Sequence, residues 1–206
     1  GRSTTPDIAG MFVPPERLKA IRPEDRLLVS YPRSGNTWLR HLLRDVIALG
    51  KPSLPYPEEI PVLIPDLHMS AHDMDHPAVR DFDRPIRIFK SHNIRHIRNN
   101  PFVYLIREPA DALVSFYHFR LLKKSNPHLV KDGIDAFCCT MVDGWIEHVR
   151  LALQTKRKRP ENVLIVSYEG LIENGITELR RIAEFFQIQT NDEHCAEALQ
   201  RSSFSR

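Results

Sequence analysis

A chain of 206 residues is long enough to bury a sizeable core, and we expect it to form one domain over residues 1–206. Charged residues make up 27% and apolar residues 42%, a composition that excludes an intrinsically disordered chain. No apolar run reaches the ~18–20 residues that a membrane-spanning helix requires. The formal net charge is only +3, with both signs spread along the chain, so no nucleic-acid partner is expected.

The cysteines and the N-terminus bear on where the protein works. The three cysteines form neither a CxxC pair nor a disulfide framework, which favours a reducing, cytoplasmic location (Cys138, Cys139 and Cys195). The N-terminus has no apolar stretch typical of a secretory signal, and its lack of an initiator Met indicates a trimmed or processed product. Residues 1–24 are expected to be mostly irregular, apart from a short amphipathic piece over 16–21.

Apolar periodicity predicts strands that alternate with helices along the chain. Short apolar runs rich in strand formers predict strands over 26–31, 86–92, 102–107 and 162–168. Apolar positions three to four residues apart predict helices over 37–50, 109–124, 134–155, 176–187 and 192–201. Residues 51–85 are rich in Pro and His and are expected to form the longest irregular stretch. The alternation predicts a three-layer α/β fold like that of the P-loop nucleotide hydrolases, with one mostly parallel sheet and helices on both faces.

The segment SYPRSGNT joins the first predicted strand to the first long helix and has the make-up of an anion site. A loop in this position directs free backbone N–H groups and the positive end of the helix dipole at its occupant. The loop combines one cation, Arg33, with four small or polar residues whose backbone N–H groups are accessible: Ser34, Gly35, Asn36 and Thr37. The loop resembles a Walker A element but lacks its leading Gly and its GK[ST] ending. The alternative is a plain turn with a helix cap, which does not explain the cation.

The triplet Lys90–Ser91–His92 closes the second predicted strand. Because residues two apart on a strand face the same side, Lys90 and His92 can converge on one point. Ligands of open α/β sheets bind beyond the carboxyl ends of the strands, and a histidine there can take a proton near neutral pH. The alternative is a polar strand end that meets solvent.

Arg107 ends the third predicted strand, and Ser115 lies two turns into the helix that follows. A guanidinium group can bind phosphate oxygens through two parallel hydrogen bonds, so this pair suits a second phosphate. In the alternative interpretation, Arg107 pairs with Glu108 or Asp111, and Ser115 is a buried helix hydroxyl.

These motifs, with two more near the end of the chain, resemble those of the sulfotransferases that use 3′-phosphoadenosine-5′-phosphosulfate (PAPS). SYPRSGNTW is similar to the family's 5′-phosphosulfate loop, FKSHN to the segment that carries its catalytic base, and LIREPADALVSFYHF to its 3′-phosphate segment. VSYEGL and RSSFSR resemble the two segments that approach the adenine. All five occur in the family's order, and the chain follows the family's layout from residue 25 to 206.

The resemblance implies an enzyme that transfers a sulfuryl group from PAPS by in-line displacement and without a metal. The acceptor would be a hydroxyl or amine of a small molecule, glycan or lipid, in a pocket that we expect residues 51–85 and 120–133 to shape. The implied general base is His92, and Arg33 and Lys90 would stabilise charge on the transferring group and the leaving phosphate. The implied PAPS-binding residues are Arg33, Ser34, Gly35, Asn36, Thr37, Trp38, Arg107, Ser115, Tyr168, Ser202 and Phe204.

The chain departs from the family pattern in two places. Arg33 stands where cytosolic animal members most often carry Lys, so a planar fork replaces a point charge. The family usually continues into an RKG-type segment that clamps the 3′-phosphate, whereas this chain ends at Arg206. Either a tail is missing from the sequence or the site is less complete. The alternative functions are an ATP-dependent P-loop kinase and a catalytically inactive nucleotide-binding protein, and the oligomeric state is left open.

Two further features are assigned no ligand. His68, His72 and His76 are spaced four apart and could hold zinc on a helix, but their Pro-rich surroundings favour a loop, and no metal site is predicted. The basic run over 156–159 is expected to end the long helix and to complement its dipole in solvent.

Overall fold

The strands lie where the sequence predicts them and form one parallel sheet. A computed structural model describes residues 11–51, 63–75, 86–97, 99–124 and 126–203. The strand bounds are Arg26–Ser30 for β1, Ile88–Ser91 for β2, Phe102–Ile106 for β3 and Val163–Ser167 for β4. Within these described residues the sheet order is β2-β1-β3-β4. Each strand falls inside its predicted range and is one to three residues shorter.

Helices connect the strands and cover the sheet. Their bounds are Pro15–Lys19 (α1), Asn36–Gly50 (α2), Pro109–Lys123 (α3), Pro127–Val130 (α4), Gly133–Lys158 (α5), Tyr168–Glu173 (α6), Gly175–Phe185 (α7) and Asp192–Ser203 (α8). The five long helices agree with their predicted ranges to within three residues at either end. The short helix α1 lies in the stretch expected to be mostly irregular, where the sequence has its amphipathic piece. Among the described helices, none is both long enough and apolar enough to cross a membrane.

Both faces of the sheet are covered by helices. Successive strand residues point to opposite faces, so Leu28 packs with residues of α2, α7 and α8, whereas Leu27 and Val29 pack with residues of α5. Strands that are buried on both faces carry continuous apolar runs instead of alternating ones, as in FVYLI of β3. The prediction of a three-layer α/β fold with a parallel sheet is confirmed.

The fourth strand ends one residue earlier than predicted, and this changes the setting of Tyr168. The sequence predicts a strand through Tyr168, but β4 ends at Ser167 and Tyr168 is the first residue of α6. The Ser167 hydroxyl accepts a hydrogen bond from the Gly170 N–H at 2.9 Å and so caps the new helix. Local capping chemistry therefore overrides the strand propensity of the tyrosine.

Part of the stretch expected to be irregular pairs with the edge of the sheet. Asp66 forms a parallel bridge with Lys90 of β2. The Lys90 N–H donates to the Pro65 carbonyl at 2.9 Å, and the Leu67 N–H donates to the Lys90 carbonyl at 3.0 Å. This pairing holds residues 65–67 beside the carboxyl end of β2.

The basic run ends the long helix as predicted. Helix α5 extends through Lys158, and the Lys156 ammonium donates to the carbonyls of Pro160 at 2.6 Å and Val163 at 2.8 Å. These bonds join the end of the helix to the start of β4.

The strand order opens a crevice at the carboxyl edge of the sheet. Strand β2 lies on one side of β1 and β3 on the other, and a crevice forms where the connections diverge in this way. The candidate anion loop follows β1, His92 follows β2, Arg107 follows β3 and Tyr168 follows β4. The fold thus brings four predicted motifs to one edge.

Candidate active site

The loop between β1 and α2 turns through two residues of positive φ. The φ angle is 67° at Arg33 and 96° at Gly35. A Cβ atom at position 35 would collide with the Tyr168 ring, so both the backbone and the available space require glycine. Helix α2 begins at Asn36 without a side-chain cap, which leaves the N–H groups of its first turn available to an anion.

Two buried donors around this loop have no hydrogen-bond partner among the described residues. They are the Ser34 hydroxyl and the Nε of Arg107. An unpaired buried donor costs free energy that a ligand can recover, and an anion would satisfy both groups. The side chain of Asn36 points elsewhere, because its Nδ2 donates to the Ser30 hydroxyl at 3.1 Å. Asn36 therefore offers its backbone N–H, and not its amide group, to the loop.

Arg33 lies against the residues predicted to hold a second phosphate. Its Nε donates to the Ser115 hydroxyl at 3.2 Å, and its guanidinium group lies 4.9 Å from the centre of the Phe119 ring. Arg107 donates from Nη1 to the Arg33 carbonyl at 3.2 Å. Desolvation and then the positive charge of Arg107 lower the pKa of Arg33 from its ordinary value. Two cations held close together suit a multiply charged anion.

Of the two alternative partners considered for Arg107, Glu108 and Asp111, the second contributes only weakly. Asp111 lies 3.9 Å from the Arg107 guanidinium, and its side chain is 66% exposed. An ion pair of that length in solvent is worth little, so Arg107 remains available to a ligand.

Tyr168 forms a wall between the loop and the end of β3. The Arg107 guanidinium lies 4.4 Å from the centre of the Tyr168 ring, and the Trp38 ring meets the same tyrosine edge-on at 5.4 Å. The Trp38 indole N–H donates to the Ser202 hydroxyl at 3.2 Å. The structure therefore joins Trp38, Tyr168 and Ser202, which come from three distant motifs. Phe204 lies outside the described residues.

Lys90 forms a buried ion pair that sequence reasoning did not find. Its ammonium lies 2.8 Å from Oδ2 of Asp66, with the two side chains 9% and 13% exposed. Burial is the main cause of the lowered pKa of Lys90. Burial opposes the charged form of Asp66 as well, but the Lys90 charge and hydrogen bond outweigh it and hold the pKa of Asp66 below its usual range.

Hydrogen bonds define which nitrogen of His92 is free. Its Nδ1 lies 2.8 Å from the Ser30 carbonyl oxygen, which can only accept, so Nδ1 carries the proton and Nε2 carries the lone pair. No described residue bonds Nε2. Burial and then the charge of Lys90 lower the pKa of His92 well below its usual range, so the ring is neutral near pH 7. A neutral imidazole with a free Nε2 can accept a proton.

The ring nitrogens of His68 and one ring nitrogen of His72 bond backbone groups. The His68 Nε2 accepts the His92 backbone N–H at 2.8 Å, and its Nδ1 lies 2.7 Å from the Phe12 carbonyl. The His72 Nδ1 accepts the Asp66 N–H at 3.0 Å. Among the described residues there is no metal-binding cluster of three or more His, Cys, Asp or Glu, and His76 lies outside them.

The predicted site residues converge on one cleft of about 540 Å³. Those that line it come from all four strand ends: Arg33, Gly35, Asn36, Thr37, Trp38, Lys90, His92, Arg107 and Tyr168. The cleft is also lined by residues that were not among the predicted site residues: Pro32, Arg40, Asp66, His68, Met69, Phe116 and Phe119. Of these, Asp66, His68 and Met69 lie in the stretch 51–85 that was expected to shape the acceptor pocket. Ser34, Ser115 and Ser202 contact the site from behind this lining.

The profile of a family described as "Sulfotransferase domain" matches residues 23–206. The chain belongs to this family. The resemblance to the PAPS-dependent sulfotransferases that the motifs indicated is thereby confirmed, and so is the enzyme class that it implied.

Curated relatives of the chain are sulfotransferases. Sulfotransferase 6B1 of Danio rerio is 31% identical over 216 residues, which cover 93% of this chain and 68% of the relative. The 3-alpha-hydroxysteroid sulfotransferase of Cavia porcellus is 30% identical over 209 residues, which cover 92% of this chain and 70% of the relative. The chain spans about two thirds of the length of the curated relatives that it matches.

Solved structures agree with the fold. The mouse sulfotransferase SULT7A1, complexed with PAP, superposes with a TM-score of 0.62 at 24% identity, over 93% of this chain and 70% of that one. A putative steroid sulphotransferase of Arabidopsis thaliana gives a TM-score of 0.66 at 23% identity, over 92% of this chain and 72% of that one. The layered parallel sheet is thus the sulfotransferase fold.

Proposed function

We propose that this chain transfers a sulfuryl group from PAPS to a hydroxyl group of a small-molecule acceptor. The observation that carries the proposal is the cleft itself. Residues from four separate motifs, including the anion loop, meet at the cleft. It contains the four basic side chains of Arg33, Arg40, Lys90 and Arg107, unpaired buried donors on Ser34, Arg40 and Arg107, and a neutral histidine whose Nε2 no described residue bonds.

The residues around the loop fit the two phosphate ends of PAPS. The N–H groups at the start of α2 and the Ser34 hydroxyl would hold the 5′-phosphosulfate, since among the described residues α2 has no side-chain cap and the Ser34 hydroxyl has no partner. Arg107 and Ser115 would hold the 3′-phosphate, with Arg33 between the two ends because it already contacts Ser115. The rings of Trp38 and Tyr168 would contact the adenine.

His92 would accept the proton of the acceptor. PAPS supplies the sulfuryl group, which the acceptor oxygen takes as the bond from sulfur to the 5′-phosphate oxygen breaks. The acceptor proton passes to Nε2 of His92, and Arg33 and Lys90 stabilise the negative charge that develops nearby. Positioning and preorganised charge supply most of the rate enhancement in such a transfer.

The lining of the cleft suits a hydroxyl-bearing acceptor with an apolar body. Phe116, Phe119 and Met69 add apolar surface to the lining of the cleft, and Asp66 and Lys90 neutralise each other. A hydroxysteroid sulfotransferase is among the relatives, which supports a hydroxyl over an amine.

Transfer of labelled sulfate from PAPS to a panel of phenols, alcohols, sterols and amines tests this function. The wild type is expected to label hydroxyl acceptors. His92→Ala is expected to lower turnover by roughly 10²–10⁴-fold, the usual contribution of a general base. It is expected to leave the binding of PAP (adenosine 3′,5′-bisphosphate) unchanged. His96→Ala, an exposed histidine outside the cleft, is the matched control. Wild-type turnover in the His92 variant would remove that residue from the base role.

A further inference from the structure

A second buried histidine holds the backbone of His92. His148 lies in the middle of α5, on the face that packs against the sheet, and is 5% exposed. Its Nε2 lies 2.9 Å from the His92 carbonyl oxygen, and its Nδ1 lies 2.7 Å from the Tyr104 hydroxyl. His148 therefore connects the central strand β3 to the residue that follows β2.

The partners of His148 define its tautomer. The His92 carbonyl can only accept a hydrogen bond, so Nε2 of His148 must carry a proton. Burial raises the pKa of the Tyr104 hydroxyl, which therefore keeps its proton and donates it to Nδ1. Burial also lowers the pKa of His148 to about 4, so that the ring is neutral near pH 7. Both nitrogens of the ring are thus used, in one fixed orientation.

The backbone of His92 is held from two sides as a result. His68 accepts its N–H at 2.8 Å, and His148 donates to its carbonyl at 2.9 Å. With the backbone fixed, the bond from Nδ1 to the Ser30 carbonyl determines the ring orientation and leaves Nε2 on the opposite edge of the ring. A reacting group that shifts by about 1 Å loses about 10²-fold in rate, so this restraint has a catalytic consequence.

The setting of His148 favours a role beyond packing. The ring lies among aromatic neighbours, with Tyr31 edge-on at 5.7 Å and Tyr104 at 5.5 Å. An apolar side chain would fill such a site without the free-energy cost of desolvating an imidazole. Two hydrogen bonds offset this cost. One is to the His92 carbonyl, and the other is from the Tyr104 hydroxyl, which orients the ring.

We infer that His148, oriented by Tyr104, is a positioning residue that fixes His92 for proton transfer. The inference rests on the proposed function, in which His92 is the general base. His148 does not line the cleft, so its effect on the reaction would pass through the residues that it contacts, and its hydrogen bond to the His92 carbonyl is the direct route to the base.

The test compares two amides that imitate different nitrogens of the ring. The amide nitrogen of Gln falls near Nε2 and can still donate to the His92 carbonyl, whereas the amide of Asn reaches only as far as Nδ1. We expect His148→Asn to lower kcat about 10–100-fold with the KM for PAPS changed less than about 2-fold. His148→Gln is expected to keep kcat within about 3-fold of the wild type. PAP affinity and melting temperature are measured alongside for both variants.

A double-mutant cycle separates positioning from general damage. In a His92→Ala background His148→Asn is expected to have no further effect on turnover, because the residue that it positions is absent. A further loss of about 10-fold or more in that background would overturn the inference. So would equal turnover of the Asn and Gln variants, whether both stay high or both fall.

A milder variant covers the case in which His148→Asn does not fold. Tyr104→Phe removes only the hydroxyl that orients the ring, and we expect it to lower kcat about 3–10-fold without changing PAP affinity. An unchanged kcat in Tyr104→Phe would contradict the role given to Tyr104. If the turnover of His92→Ala is normal, the part of the proposed function that makes His92 the general base is wrong. Loss of activity in His92→Ala with full activity in His148→Asn would reject the positioning role alone.

Discussion

The Lys90 ammonium lies 2.8 Å from the Asp66 carboxylate, and both groups are buried beside His92. In the proposed reaction Lys90 would therefore already be paired, and its partner would reduce the positive charge that it presents to the transferring group. The pairing also anchors residues 65–67 along β2, where His68 contacts the His92 backbone. One ion pair thus contributes to the shape and the charge of the cleft.

Removing the carboxylate of this pair should destabilise the fold. Asp66→Asn leaves Lys90 charged and buried without its partner, and we expect the free energy of unfolding to fall by about 3 kcal/mol. Because the folded pKa of Asp66 is lowered, this contribution is present above the ordinary carboxyl pKa of ~3.9 and is lost as the pH falls through the folded value. Urea unfolding at pH 7 measures the loss.

Asp192→Asn is the control for the Asp66 variant. The Asp192 side chain is 77% exposed and lies 3.5 Å from Arg180, so we expect a change of less than about 1 kcal/mol. Equal urea midpoints for the two variants would mean that the buried pair contributes no more than an exposed one.

Two glycines of positive φ form a matched pair for testing the anion loop. Gly35 has φ of 96° and is crowded by Tyr168, whereas Gly133 has φ of 89° and would have no neighbour within 4 Å of an added Cβ. Either change to Ala should cost about 1 kcal/mol of stability from backbone strain, and Gly35→Ala should cost more because its Cβ would also collide with Tyr168. Only Gly35→Ala should weaken PAP binding, by about 10-fold or more, in calorimetric titration. Similar PAP affinities in the two variants would argue against the loop as the phosphate site.

Arg33 is expected to bind anion through its charge and its planar shape. Arg33→Ala should weaken PAP binding about 10–150-fold, the range of a charge-assisted hydrogen bond, and should lower turnover. Arg33→Lys should recover part of the affinity, because it keeps the charge but not the fork that contacts Ser115 and Phe119. Arg150→Ala removes an exposed Arg that pairs with Glu147 outside the cleft and is the control. Normal PAP affinity in Arg33→Ala would contradict the assignment.

The neutral state of His148 predicts a defined acid sensitivity. A histidine whose folded pKa is lowered binds fewer protons in the native state than in the unfolded state, so stability falls as the pH drops below ~6.5 and levels off below about 4. That difference is worth about 3 kcal/mol at most. The wild type should lose this much more stability than His148→Gln between pH 7 and pH 4. Parallel stability curves would contradict a neutral His148.

The sequence predicted the sheet and its connections because buried parallel strands are short apolar runs bounded by turn residues. It also predicted the contact between motifs, since the carboxyl ends of parallel strands share one edge. Lys90, His92, Arg33 and Arg107 lie at this edge because each follows or ends one of the parallel strands. The predicted end of the fourth strand at Tyr168 was wrong, because Ser167 caps a helix that begins at Tyr168.

The partners that orient these residues were not predictable in the same way. Asp66 and His68 lie in a Pro-rich stretch without periodicity, so nothing in the sequence indicated that it pairs with β2. His148 occupies an ordinary inward position of a long amphipathic helix, 56 residues from the His92 carbonyl that it contacts. Such contacts depend on how α5 packs across the sheet, and a single sequence carries no signal for that.

The most direct test of the central claim is whether the cleft distinguishes a 3′-phosphate. AMP and PAP, which is adenosine 3′,5′-bisphosphate, share the 5′-phosphate that the loop would bind, and only PAP carries the group assigned to Arg107 and Ser115. Calorimetric titration of both ligands into the wild type should give a preference for PAP of at least about 10-fold. Arg107→Ala should reduce that preference by weakening PAP and leaving AMP nearly unchanged. Equal affinities of the wild type for AMP and PAP would contradict the assignment of this cleft to PAPS.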